Sequence, residues 1–245
     1  MPKRNATCAV IGAGDHIGSA IARRFAAEGY TVFAGRRTAE KLAKLKSEIE
    51  AAGGECVARA LDARKEDEVA KFLEDADAHA PLEVVVVNPG AYVQFPFLVT
   101  TERVFRKVWE MACYAGFLAG RESARLMLAR GKGTILFTGA TASLRGGAGY
   151  AAFASAKAGL RNLAQSMARE LGPKNIHVAH LIIDAGVDTA FVRERIKARG
   201  GDPAALAPDT LMNPESVAYA YWYLHSQSRD GWTFELDLRP YAERW

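Results

Sequence analysis

Short apolar or β-branched runs alternate with longer amphipathic stretches along this whole chain, and few architectures accept that order. The runs fall at 7–11, 31–34, 55–61, 82–87, 134–137, 176–183 and 232–236. Between them lie stretches at about 16–29, 38–52, 65–79, 101–129, 149–171 and 214–226 with apolar residues at helical spacing, as at Leu42, Leu45 and Ile49. Strand and helix in strict turn imply parallel pairing, right-handed crossovers and helices on both faces of a sheet. The unbroken run Val84-Val85-Val86-Val87 suits a strand covered on both sides. The reading is an α/β chain forming a single-domain, doubly wound fold over 1–245, with a seven-stranded parallel sheet flanked by helices. One long irregular piece, about 186–212, holds Gly200, Gly201, Pro203 and Pro208; a loop of that length in a compact domain suggests a substrate lid.

Composition narrows the function classes. With 245 residues, 49% of them hydrophobic, the chain can bury a core without disulfides or metals. Cys8, Cys56 and Cys113 are widely spaced and odd in number, which speaks against a disulfide framework and for a reducing, cytoplasmic setting. The basic start Met1-Pro2-Lys3-Arg4 precedes an apolar run too short for a secretion signal, and no stretch approaches the ~20 apolar residues of a membrane span. A net charge of +4, with bases and acids interleaved, makes nucleic acid a poor partner. His79, His177, His180 and His225 make no metal-ligand spacing with acids or cysteines, so no metal is expected; His180 reads as a satisfied core group.

The first run ends in Val10-Ile11-Gly12-Ala13-Gly14-Asp15-His16-Ile17-Gly18 and passes into a helix. Glycines at such a turn admit a pyrophosphate, whose charge meets the N–H groups and dipole of the helix start. Gly12, Gly14, His16, Ile17 and Gly18 are therefore candidate cofactor contacts, although His16 could equally cap the helix. The second run ends at Gly35-Arg36-Arg37, where an acidic residue would hold the ribose hydroxyls of NAD. Arg36 and Arg37 instead favour the 2′-phosphate of NADP(H) over NAD(H); the alternative is a solvated basic turn.

With these landmarks in order, nearly the whole chain resembles the short-chain dehydrogenase/reductase family, a group of Rossmann-type oxidoreductases. The family's Thr-Gly-xxx-Gly-x-Gly turn is answered by Gly12 and Gly18, with His16 at the middle glycine and Gly14 as the nearest substitute. Asp62 and Ala63 match the family's adenine-side acid and its neighbour, and Asn88-Pro89-Gly90-Ala91 answers its Asn-Asn-Ala-Gly strand end, keeping only the first asparagine in place. The resemblance implies cofactor roles for Asp62, Ala63, Asn88, Gly90 and Lys157, and a nicotinamide contact for Thr189 in Asp184-Ala185-Gly186-Val187-Asp188-Thr189. It also implies a homodimer or homotetramer joined through the helices at 101–129 and 149–171.

Departures gather where the family does its chemistry. Of the family's Asn-Ser-Tyr-Lys set, the tyrosine of Tyr-xxx-Lys falls on Phe153, the serine on Ala140 and the asparagine on Cys113, which leaves Lys157. A phenyl ring has no proton to give to a developing alkoxide. Tyr150 shares a helix face with Phe153 and Lys157 if the helix already runs there, but about 10.5 Å of rise separates it from Lys157. Tyr150 is thus the candidate acid, with Thr141 or Ser143 orienting the reacting oxygen; an ordinary helix-start aromatic is the alternative. Tyr114 is a second candidate, and Cys113 reads as a nucleophile or a small buried hydrophobe. Asp184 and Asp188 could meet a substrate or cap loops, and the basic residues of Arg193-Glu194-Arg195-Ile196-Lys197-Ala198-Arg199 suggest an anionic small-molecule substrate unless they are simply solvated. Two functions follow: an NADP(H)-dependent oxidoreductase with a non-standard donor, reducing a carbonyl, imine or activated alkene, or a non-catalytic NADP(H)-binding homologue acting as sensor or oligomer partner.

Overall fold

In the computed structural model, which describes residues 2–242, every strand pairs in parallel. The ends of the 1–245 assignment, residues 1 and 243–245, lie outside the described residues. The strands are β1 (Thr7–Ile11), β2 (Thr31–Arg36), β3 (Glu55–Ala60), β4 (Leu82–Val87), β5 (Gly133–Thr138), β6 (Ile176–Ile183) and β7 (Glu235–Leu238), in spatial order β3-β2-β1-β4-β5-β6-β7. Strand order reverses between β1 and β4, which opens a crevice beyond their carboxyl ends.

Period-two alternation along each strand supplies two cores. Cys8, Val10, Val32, Val84 and Val86 point to one side, where α1 (Ile17–Ala27), α2 (Ala43–Ala51) and α8 (Pro214–His225) cover them. Ala9, Ile11, Phe33, Val85 and Val87 point to the other, under α3 (Glu66–His79), α5 (Ala115–Leu128) and α6 (Ala151–Leu171). Burying both faces is why the valine run of β4 shows no polar alternation. Among the described residues no helix is long and apolar enough to cross a membrane.

Several boundaries differ from the sequence expectation, and four of the differences have a structural reason. The seventh strand begins at Glu235 rather than 232, because Trp232 stacks on His177 at 4.8 Å and the Thr233 N–H donates to Gln227, holding both in a turn. The stretch at 101–129 is α4 (Glu102–Trp109) and α5 joined by a π turn at 110–114. The 186–212 segment is not irregular throughout: Thr189 caps α7 (Ala190–Ala198) by accepting from the Val192 N–H at 3.1 Å. Finally, Gly149 at φ +82° turns the chain ahead of α6, so Tyr150 stands before the first helical turn.

Candidate active site

The crevice beyond β1 and β4 is built around backbone that tolerates no side chain. Gly12 has φ +85°, and a Cβ there would lie 2.9 Å from the Pro89 nitrogen. At Gly18 a Cβ would press on the Gly12 carbonyl and stand 2.7 Å from Ala13 Cα, so the turn folds back onto the start of α1. Gly14 faces open space, with nothing within 4 Å of where a methyl would stand. Ile17 and Gly18, opening α1, have N–H groups with no intrahelical acceptor, and His16, the N-cap, makes no side-chain capping bond. The resulting wall presents N–H groups and a helix dipole to a cavity of about 580 Å³, lined in part by Gly14, His16, Ile17 and Gly18.

A neighbouring cavity of about 380 Å³ continues past Gly12 to Arg36, Arg37, Lys41, Asp62 and Ala63. Three cations and no acid from the end of β2 line it; Arg36 donates to Asp15 at 2.5 Å across the glycine turn. Asp62 is committed to Arg64, which donates to it from Nε at 2.8 Å and Nη2 at 2.6 Å and pulls its carboxyl down to about 2. Asn88 ties the strand ends together: Nδ2 donates to the Gly12 carbonyl at 2.9 Å, and Oδ1 accepts from Thr138 at 3.0 Å. With its proton so used, the Thr138 hydroxyl accepts from Tyr221 of α8 at 2.6 Å.

Lys157 lies beneath the larger cavity, 4% exposed, with Nζ donating to the Thr138 carbonyl at 2.7 Å. Burial lowers its ammonium to about 8. Gly90 roofs it, since a Cβ there would stand 3.6 Å from Nζ. Phe153, one turn earlier on α6, and Tyr150, ahead of the helix, line the same cavity as Lys157 and Thr189. Tyr150 also borders a third cavity of about 350 Å³ with Thr141 and Arg145, and its phenol hydrogen-bonds that of Tyr92.

This chain matches the family described as short chain dehydrogenase over residues 6–200. It belongs to that family. A short-chain dehydrogenase from Rhodopseudomonas palustris is 65% identical, with a TM-score of 0.84 and coverage of 97% of this chain and 100% of that one. A metagenomic short-chain oxidoreductase solved in complex with NADP is 25% identical, with a TM-score of 0.83, covering 97% and 98% of the two chains. An uncharacterized oxidoreductase, YuxG of Bacillus subtilis, is 30% identical over 239 residues, 90% of this chain and 35% of that protein. The chain spans 35%, 66% and 48% of the length of three curated relatives it matches.

Within this member of the family the glycine turn, Arg36, Arg37, Asp62, Ala63, Asn88, Gly90, Lys157 and Thr189 all border one or both of the two larger cavities. Several expectations change. The expectation that three of the family's four usual catalytic residues are lacking is not supported, because the wall holds both a phenol and an ammonium, Tyr150 and Lys157. Ser143 does not reach it: its 4%-exposed hydroxyl accepts from the Ala140 N–H at 3.1 Å and lies 3.5 Å from His180 Nε2. Thr141 is the hydroxyl on the wall, donating to the buried Asp184, which Arg145 and Arg239 also approach. Asp184 therefore braces the wall from behind, and Asp188 is paired with Arg193 at 2.5 Å. Tyr114 is stacked between Trp109 and Phe117. Cys113 packs against Gly159 of α6, and burial raises its thiol, which removes the nucleophile reading. His180 is fully buried and lowered to about 4, chiefly by burial, with Nδ1 3.1 Å from Glu235. Sequence reasoning missed Tyr92, an exposed loop aromatic whose only signal was its place after Gly90-Ala91.

Proposed function

We propose that the protein is an NADP(H)-dependent oxidoreductase that reduces a small carbonyl, imine or activated alkene, with Tyr150 as proton donor in place of the family's tyrosine. One observation carries this: a single cavity is bordered by the glycine turn, Gly90, Lys157, Tyr150 and Thr189. The residues fit a dinucleotide. Open space at Gly14 and the N–H groups of Ile17 and Gly18 suit a pyrophosphate, and Arg36, Arg37 and Lys41 suit a 2′-phosphate. NADP in the metagenomic relative is consistent with that choice. Asp62 and Ala63 would flank the adenine, while Asn88, Gly90 and Thr189 would border the nicotinamide half with Lys157 on its ribose. When bound, the nicotinamide supplies the hydride.

By the sequence resemblance Phe153 falls on the family's tyrosine, and a phenyl ring has no proton to give, so this reading takes the proton from elsewhere on the same wall. Tyr150 borders both the larger cavity and the one holding Thr141; the Thr141 hydroxyl has its proton committed to Asp184, so the phenol is the donor that a reacting oxygen there would meet. Ser143 supports Ala140 from beneath rather than touching substrate. The segment 186–212, carrying α7, is proposed as the lid; its Arg195 and Arg199 suit an anionic group on the substrate. A homodimer or homotetramer through the stretches at 101–129 (α4 and α5) and 149–171 (α6) is proposed, and exposed Phe105, Trp109 and Phe117 on the first of these suit it.

The test is NADPH oxidation against ketones, aldehydes, imines and enones, with Tyr150→Phe beside the native protein. Turnover that falls about 10²–10⁴-fold in Tyr150→Phe, with NADPH binding retained, is the expected result. NADPH binding without turnover across the panel would instead mark a non-catalytic sensor or oligomer partner.

A further inference from the structure

The face of α7 that looks into the cavity carries charge that no carboxylate balances. Arg193 is paired with Asp188 and Lys197 with Glu194, whereas among the described residues neither Arg195 nor Arg199 makes an ion pair with a carboxylate. These two lie one turn apart and both line the cavity that holds Tyr150. The Arg195 guanidinium sits over the Tyr92 ring, 4.2 Å from its centroid, and Arg199 donates to Gln94 at 2.7 Å. Tyr92 in turn hydrogen-bonds Tyr150 through the two phenols, their rings meeting edge-on at 5.5 Å. The phenol pair thus lies between two guanidiniums on one side and the apolar Phe153 on the other.

We infer that Tyr92, Arg195 and Arg199 are positioning residues that set the acidity of Tyr150, so that the strength of the proton donor is controlled from the α7 segment rather than by Lys157. The inference rests on the proposal that Tyr150 is the donor. In the step, the Tyr150 O–H bond breaks and its electron pair stays on the phenolic oxygen. The proton forms the new bond to the atom of the substrate made basic by hydride addition. The phenolate left behind accepts a hydrogen bond from Tyr92 and feels both guanidiniums until water returns a proton. Lys157 is badly placed for this: its ammonium is engaged with the Thr138 carbonyl, and the turn at Gly149 sets Tyr150 outside the helix that carries Lys157. Burial by itself pushes the Tyr150 phenol up, but Tyr92, Arg199 and Arg195 together bring it below the ordinary tyrosine value. Tyr92 moves the other way, raised by burial and then by its bond to Tyr150. The other charged groups facing this space are Lys157 from α6, Arg145 from the segment after β5, and Asp15 and His16 from the glycine turn.

The experiment reads the phenol directly and needs no substrate. The whole protein is labelled at the tyrosine ring carbon bearing oxygen, the Tyr150 resonance is assigned with Tyr150→Phe, and its titration is followed by NMR. Tyr150 should ionise below the ordinary value of ~10, and the double variant Arg195→Met, Arg199→Met should move that ionisation back up. Arg195→Lys with Arg199→Lys should restore most of the shift, because the charge is kept, and Tyr92→Phe should raise it. A Tyr150 that titrates at or above the ordinary value, or one indifferent to the methionine pair, overturns the inference. A low, arginine-dependent titration in a protein that turns over no substrate would leave this inference standing and sink the oxidoreductase reading; the reverse pattern would do the opposite.

Discussion

Adding one methyl group at Gly14 and one at Gly18 separates a role in the fold from a role toward the cofactor, because the surroundings of the two glycines are opposite. Gly18→Ala would place Cβ against the Gly12 carbonyl and 2.7 Å from Ala13 Cα, all backbone, so no side chain can swing aside. Overpacking of this kind costs roughly 1–3 kcal/mol, while alanine in place of glycine in a helix returns at most about 1 kcal/mol. With that gain subtracted the clash wins by up to about 2 kcal/mol, a fall in Tm of up to about 8 °C for a chain of this size. Gly14→Ala meets nothing within 4 Å and needs no left-handed backbone, so its Tm should hold or rise by a few degrees through the unfolded state. The same methyl would occupy the open space where phosphates are proposed to pass, and NADPH affinity should fall at least about tenfold, ~1.4 kcal/mol. Calorimetry of both variants without ligand, followed by fluorescence titration with NADPH, gives the two numbers. A Gly14→Ala protein that binds NADPH like the native one would refute the placement of the phosphates; one that melts as early as Gly18→Ala would refute the account of the turn.

Charge at the far end of the crevice gives a second prediction. Replacing Arg36 and Arg37 by alanine removes two of the three cations around the proposed 2′-phosphate site, so NADPH should weaken about ten- to a hundredfold while NADH changes little; equal losses for both nucleotides would count against the 2′-phosphate assignment. A third concerns acid stability. Burial lowers His180 and His225 to about 4, opposed at His180 by Glu235 and at His225 by Glu83. Between the unfolded value of ~6.5 and about 4, the unfolded chain binds protons that the folded chain refuses, so stability is present above that window and is lost as pH falls through it, by a few kcal/mol in total. Chemical denaturation at several pH values should show that slope, and His225→Gln should flatten it; a slope untouched by the substitution would place the acid sensitivity elsewhere.

Strand and helix order was legible from residues because both signals are local: period-two burial in β1 and β4, helical spacing at Leu42, Leu45 and Ile49, and glycines where backbone must pass backbone. The glycine turn and the basic end of β2 followed from the same kind of reading, since one turn of chain holds each. Boundaries were harder where a distant partner sets them. Nothing near Trp232 announces that stacking on His177 delays β7, and the π turn at 110–114 carries Ala112 into a cluster with Val108 of α4 and Ala152, Phe153 and Ala156 of α6, partners distant in sequence.

The wall of the candidate site divides the same way. Sequence alone placed Phe153 one turn before Lys157 and offered Tyr150, Thr141 and Ser143 as replacements, because spacing along a helix is fixed by the chain itself. Tertiary structure chose among them: the turn at Gly149 sets Tyr150 ahead of the helix, the contact with Ala140 draws Ser143 inward, and Asp184 holds Thr141 on the wall. It also brought Tyr92 from the loop after β4, and Arg195 and Arg199 from α7, to a phenol 58 residues away in sequence from the first of these. No periodicity encodes such a meeting, since it depends on how separate elements pack; residue types and local spacing were determined by the sequence, and which of them face one another was decided only by the fold.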